Sequence, residues 1–366
     1  NKGLKVETIA DVFCGCGTVA YEAMVNNRNF FGVDINPIAT LIAKTKCRKY
    51  DKLKIIEYFN LIKENFEIAD NILCNKFSEN ERIVYWFEEQ QRTDLFKLLN
   101  AINTEVDAEE YKNFFYCAYS AILKSCSRWL TKSIKPQIDP KKRPKNVWKA
   151  FEAHVNMMIK ANEQCNINNG LNIDIITQSI LNLEVTSPFV DMVITSPPYV
   201  TSYEYADLHQ LSTLCLGYSP DYKHFRKGSI GSFYYPQSIE DNLKVINKVG
   251  SSVVKRIVPV DKRRARSIAQ YYVDIQNVVN IIRSLLRDGG VCFFVIGNTE
   301  YKGVKIDNAR HLAQCLLDEN FHDIEIKRRK ISNKILTPYR DKNGKFTSDK
   351  NSRKIYSEEF LIFARK

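Results

Sequence analysis

The stretch "TIADVFCGCGTVAYEAMVNNRNFFGVD", residues 8 to 34, most constrains the fold of this chain. "TIADVF" is a short β-type run that stops at a turn holding Gly15 and Gly17. "VAYEAMVNN" then has helical spacing, carried by Val19, Ala20, Ala23 and Met24. "NFFGVD" is a second β-type run, and "INPIATLIAKTKC" is helical again. Strand, glycine turn, helix, strand is the opening of a doubly wound α/β fold with a mostly parallel sheet. Glycines at such a turn let the backbone approach a ligand, and the helix that follows presents unpaired N–H groups. Asp34 closes the second strand, where a carboxylate accepts ribose hydroxyls. Ala20 satisfies the third small position of a dinucleotide fingerprint, so a nicotinamide cofactor is a candidate at this point.

The pattern changes after residue 50. From about Lys52 to Cys165 amphipathic helices dominate, among them "LKIIEYFNLIKENF", "RTDLFKLLNAI" and "YKNFFYCAYSAILKSCSRWL". The Pro- and Lys-rich "KPQIDPKKRPKNVW" interrupts them and reads as an exposed basic loop. Strand patterns resume at "LNIDIITQSILNL" and "FVDMVITSPPY". Residues 200 to 270 read as irregular and basic. "QYYVDIQNVVNIIRSLLRDGG" reads as a helix with a glycine stop, "VCFFVIGNT" as a buried strand and "HLAQCLLDENF" as a helix. "FHDIEIKRRKI" and "EEFLIFARK" read as a closing pair of strands. At 366 residues the chain holds two domains or one with an insertion. The simplest division is a catalytic α/β domain over 1–50 and 171–366, with a helical insertion over 51–170.

"TSPPY" is the more specific signal. Two successive prolines cannot sit inside a helix or a central strand, so the turn ends the preceding strand. At the carboxyl end of a parallel strand it lies in the ligand crevice. The prolines fix the direction of the carbonyls around Ser196 and Pro197, which, with the Ser196 hydroxyl, can accept hydrogen bonds from an amino group. Tyr199 can stack on a planar base.

"DVFCGCGT", "GVDINP" and "TSPPY" together resemble the motifs of S-adenosylmethionine-dependent amino-methyltransferases that act on DNA. Ser-Pro-Pro-Tyr is typical of their N4-cytosine branch, and "LLRDGGVCFFVIGNT" and "SEEFLIFARK" are similar to later parts of these enzymes. The resemblance covers the first fifty residues and most of the chain after 171. It implies a Rossmann-like methyltransferase fold and base flipping. Ser196, Pro197, Pro198 and Tyr199 would be the catalytic turn. Asp11, Phe13, Gly15 and Gly17 would line the methionine side of S-adenosylmethionine and Asp34 its ribose, with Cys14, Thr18, Ile35, Asn36, Ser179 and Thr195 also at the cofactor. The acid that members carry after the third strand is matched here by Ser179. An N6-adenine enzyme and an RNA or tRNA amino-methyltransferase share this chemistry and stay open. So does a non-catalytic nucleic-acid-binding module.

The net charge of +12 favours a polyanionic partner, for which double-stranded DNA is the expectation. Candidate phosphate contacts are Lys141, Lys142, Arg143 and Lys145 in the first basic run, and Lys262, Arg263, Arg264 and Arg266 in "VVKRIVPVDKRRAR". "IKRRK" is a third run. A cognate restriction endonuclease is the expected cellular counterpart. Ten cysteines without paired Cys/His spacing read as free thiols rather than metal ligands, and suit a reducing, cytoplasmic setting in a prokaryotic cell. No apolar run approaches the ~18 residues of a membrane span, and "NKGLKVETIADVF" has no leader pattern.

Overall fold

The computed structural model describes residues 5–70, 77, 79–131, 133, 136–165, 170–200, 205–219, 221, 223, 228–232, 237–331, 339–340, 347–354 and 358–366. Seven strands form one sheet: β1 (Thr8–Asp11), β2 (Asn29–Asp34), β3 (Ile173–Thr177), β4 (Val190–Thr195), β5 (Leu286–Ile296), β6 (His322–Lys330) and β7 (Glu358–Arg365). Their order is 3-2-1-4-5-7-6. The pairs from β3 to β5 are parallel, and β7 runs antiparallel to both β5 and β6. From β1 the chain moves outward to β2 and β3, then returns to the other side of β1 as β4. The order reverses between β1 and β4, which opens a crevice at their carboxyl ends. The fold is a doubly wound, Rossmann-like architecture.

Local chemistry sets the first turns. Gly17, with φ 75°, precedes helix α1 (Thr18–Val25) in the left-handed conformation. A Cβ there would stand 2.7 Å from Ala43 Cβ, so glycine is required by packing as well as by backbone angle. Helix α2 (Pro37–Lys46) starts on Asn36, whose side chain accepts from the N–H groups of Ile38 and Ala39, with Pro37 at its first position.

Among the described residues five helices follow, α3 (Lys52–Ile68), α4 (Glu81–Trp86), α5 (Glu89–Glu105), α6 (Glu109–Cys126) and α7 (Val147–Gln164). They enclose an apolar cluster of their own around Trp86, Phe115, Tyr119 and Phe151. Leu211, Leu214 and Cys215 of the helix Gln210–Cys215 belong to that same cluster, although they follow the proline turn in sequence. The main core lies instead between the sheet and the later helices.

The reading of residues 200 to 270 as irregular is corrected. Helices span Gln210–Cys215, Ile239–Val245 and Lys248–Ile257, and a long helix begins at Lys262 and runs to Leu285. Asp261 caps the long helix by accepting from Arg264 N–H, a start masked in sequence by the dense charge of "DKRRAR". The glycine pair after it is not a helix stop either. Gly289 and Gly290 lie within β5, at an irregularity in its pairing with β4. The closing pair of strands forms as read, and "IKRRK" lies on the exposed edge strand β6, where Arg328 and Arg329 pair with Glu358 and Glu359. Charges on an edge strand discourage pairing with another chain.

Candidate active site

Strands β1 and β4 are hydrogen-bonded neighbours, so the glycine turn and the proline turn emerge side by side. Thr195 Oγ1 donates to Asp11 Oδ1 at 2.6 Å, and Phe13 N–H donates to the same oxygen at 3.0 Å. Asp11 is only 5% exposed. Burial pushes its pKa up to about 7; the bonds from Thr195 and Phe13 pull it down by less, and the Asp34 carboxylate adds repulsion.

Asp34 organises the glycine turn. Its Oδ2 accepts from Gly15 N–H at 2.9 Å and its Oδ1 from Asn36 N–H at 2.8 Å. Burial raises its pKa, opposed by those two bonds. Cys14 N–H donates to Val33 O, tying the turn to the end of β2. Gly15, with φ 49°, has no atom within 4 Å of the place a Cβ would take. An open glycine face beside two strand-end carboxyls, Asp11 and Asp34, fits the ribose and amino-acid parts of a nucleoside cofactor. Thr18 and Cys16 are exposed at the same turn, and Cys16 O accepts from Lys46 Nζ. The Cys14 thiol is buried and its pKa is raised by burial, which keeps it neutral.

The proline turn continues β4. Ser196 is exposed, and its hydroxyl donates to Val295 O at 3.0 Å. That spends its proton on β5 and leaves the oxygen as an acceptor. Pro197 is buried, and Pro198 and Tyr199 are half-buried. A Cβ on Gly297 would lie 3.5 Å from Cε1 and Cζ of Tyr199, so the ring rests on that glycine. Gly297 is fixed in turn by Asn308 Nδ2, which donates to its carbonyl at 2.9 Å. Sequence reading missed Val295 and Gly297; the glycine that ends a buried strand in "VIGNT" was the signal available.

Ile35 directly follows β2, and Ser179 lies two residues past β3. Gln178 N–H donates to Asp34 O, and Ser179 Oγ donates to Gly228 O at 3.1 Å. The basic candidates divide. Lys141, Arg143 and Lys145 are exposed, whereas Lys142 Nζ is turned inward to the carbonyls of Lys124 and Trp129, both at 2.7 Å. Lys142 is therefore a structural cation rather than the exposed contact expected. Lys262 and Arg263 are exposed on the first turn of the long helix. Arg264 lies over the Tyr301 ring and Arg266 Nε donates to Gln237 O. Among the described residues the cysteines form no disulfide, and no group of three or more His, Cys, Asp or Glu is placed to hold a metal. No described helix is long and apolar enough to cross a membrane.

No family model matches the chain. The Type II methyltransferase M.MvaI of Kocuria varians is 24% identical over 359 residues, covering 90% of this chain and 78% of that enzyme. Two further relatives are also Type II methyltransferases. M.BsoBI of Geobacillus stearothermophilus is 26% identical over 58% of this chain and 48% of its own length. M.MjaII of Methanocaldococcus jannaschii is 28% identical over 32% of this chain and 23% of its own. Among solved structures, a SAM-dependent methyltransferase of Methanosarcina mazei aligns with 99% of this chain and 94% of its own, at 8% identity and a TM-score of 0.35. The rRNA methyltransferase aviRa of Streptomyces viridochromogenes covers 100% of this chain and 78% of its own, at 10% identity and a TM-score of 0.28. The fold rests on the strand order rather than on those distant likenesses.

Proposed function

We propose that this chain is an S-adenosylmethionine-dependent DNA methyltransferase, and that its target is the exocyclic N4 of cytosine within a restriction-modification system. The observation that carries the reading is the Thr195–Asp11 bond, which seats the glycine turn and Ser-Pro-Pro-Tyr at one crevice. The likeness to a Type II methyltransferase along 90% of the chain supports it. Asp34, Ile35 and Asn36 would hold the ribose side of the cofactor, and Asp11, Phe13, Cys14, Gly15, Gly17 and Thr18 the methionine side. When bound, S-adenosylmethionine supplies an electrophilic methyl group on its sulfonium.

The chain's own residues then orient the acceptor. A base flipped from the duplex rests on Tyr199, whose ring is backed by Gly297. Its amino group donates to Ser196 Oγ and to the Pro197 carbonyl, which draws the nitrogen lone pair out of conjugation and aims it along the transfer line. The Ser196 hydroxyl is prepared for this because it donates its hydrogen bond to Val295 O, which leaves its oxygen lone pairs to accept. No cysteine acts as a nucleophile in this scheme.

Exposed Lys141, Arg143, Lys145, Lys262 and Arg263 are the proposed phosphate contacts on double-stranded DNA. The test is methylation of plasmid DNA, digestion to nucleosides and identification of the product by mass and retention. N4-methylcytosine is expected. N6-methyladenine would move the target base and keep the mechanism; 5-methylcytosine, which needs a cysteine nucleophile, would overturn both.

A further inference from the structure

Asp274 is a carboxyl that the proposed chemistry does not use, yet it is 2% exposed in the core of the long helix Lys262–Leu285. Burying such a group is costly unless hydrogen bonds satisfy it. Its Oδ1 accepts from Gln270 Nε2 and its Oδ2 from Gly231 N–H, both at 2.8 Å. Gly231 O accepts from Ser267 Oγ at 2.9 Å, and a Cβ on Gly231 would stand 2.9 Å from Tyr271 Cβ. The segment 228–232 is thus clamped on the long helix at one end. At its other end Gly228 O accepts from Ser179 Oγ, and a Cβ on Gly228 would lie 3.3 Å from Ile35 Cδ1. Gly228 and Gly231 have φ of 81° and 70°, so the bend between these anchors suits glycine.

Ile35 is the residue after Asp34, and Ser179 lies two residues past the end of the neighbouring strand β3. If ribose is held at Asp34, as proposed above, the purine attached to it lies on the Ile35 and Ser179 side. Ser179, which stands where the resemblance calls for an acid, is already committed to Gly228. We propose that the loop Gly228–Ser232 is the wall of the cofactor pocket at its adenine end, with Asp274 the positioning residue that holds it. Gly228 packs directly on Ile35, so the loop backbone and the Ile35 side chain would form one continuous wall against which the purine lies.

Calorimetry with S-adenosylhomocysteine on the full chain, joined to steady-state kinetics, tests this. Asp274→Ala and Gly228→Ala should weaken binding about tenfold or more, through removal of one well-placed polar anchor or of its backbone geometry. The KM for the methyl donor should rise while kcat and the KM for DNA hold. Asp274→Asn should restore affinity, because its amide oxygen still accepts from Gly231 N–H. If Asp274→Ala does not fold, Gly228→Ala and Ser179→Ala decide the matter. Wild-type affinity in a folded Gly228→Ala variant would overturn the proposal and leave the methyltransferase reading intact. Failure of the wild-type chain to bind S-adenosylhomocysteine would overturn both.

Discussion

Thr195 and Asp11 stand 184 residues apart in the chain and share one 2.6 Å hydrogen bond at the carboxyl ends of two adjacent parallel strands. The bond makes one crevice of two motifs. Thr195→Val keeps the shape of the side chain and removes the donor. Asp11 Oδ1 then keeps the bond from Phe13 N–H. A cost of about 1–3 kcal/mol is expected for the buried acceptor left short of a partner. Denaturant melts should show it, together with weaker S-adenosylhomocysteine binding.

The same carboxyl sets a pH dependence. Asp11 holds its proton up to about pH 7 in the folded chain, against 3.8 for an ordinary aspartate. A carboxyl whose pKa rises on folding binds protons more tightly when folded, so it favours folding at low pH, and that contribution is lost as pH rises from about 4 to about 7. Asp274, raised to about 6 by burial, acts in the same direction. The melting temperature of the ligand-free protein should therefore fall between about pH 4 and about pH 7. Asp11→Asn, which keeps an acceptor for Thr195 and Phe13 but cannot ionise, should flatten that fall. An unchanged slope in the variant would count against the buried-carboxyl account.

Gly15 and Gly17 should respond differently to the same substitution. Gly17→Ala meets both a left-handed backbone and Ala43 at 2.7 Å, and should cost about 1–3 kcal/mol of stability. Gly15→Ala meets open space, so only its φ of 49° is unfavourable, at about 1–2 kcal/mol. Its methyl enters the proposed cofactor cradle, so affinity for S-adenosylhomocysteine should drop more than the melting temperature does.

Ser196→Ala should slow methyl transfer by about a hundredfold while cofactor affinity stays close to wild type, because the oriented acceptor acts mainly in the transition state. Single-turnover rates alongside calorimetry separate the two effects. A parallel loss of cofactor affinity would mean that the bond to Val295 O serves the pocket as a whole.

Binding to duplex DNA should weaken steeply with salt. Replacing Lys262 and Arg263 by alanine should lower the slope of log K against log salt by about 0.9 for each phosphate no longer neutralised. A slope that stays the same would leave the surface of Lys141, Arg143 and Lys145 as the DNA-binding face. Lys142→Ala, by contrast, should act on stability, since its ammonium is bound to the carbonyls of Lys124 and Trp129.

Much of this molecule is written locally. The strand–glycine–helix–strand opening, the helices between Lys52 and Gln164 and the end of β4 at Ser-Pro-Pro-Tyr all follow from periodicity, glycine and proline over a few residues. Those signals depend on backbone angles and on the spacing of apolar side chains, which neighbours in sequence carry by themselves. Tertiary structure decided the rest. It alone placed Thr195 on Asp11, aimed the Ser196 hydroxyl at Val295 O, joined Ser179 to Gly228 and turned Lys142 inward. It also put Leu211 and Leu214 into the core of helices that lie well before them in the chain. Most of these join residues far apart in sequence. The partner is selected by which faces the sheet and helices bury together, and that selection leaves no mark on the sequence around either residue.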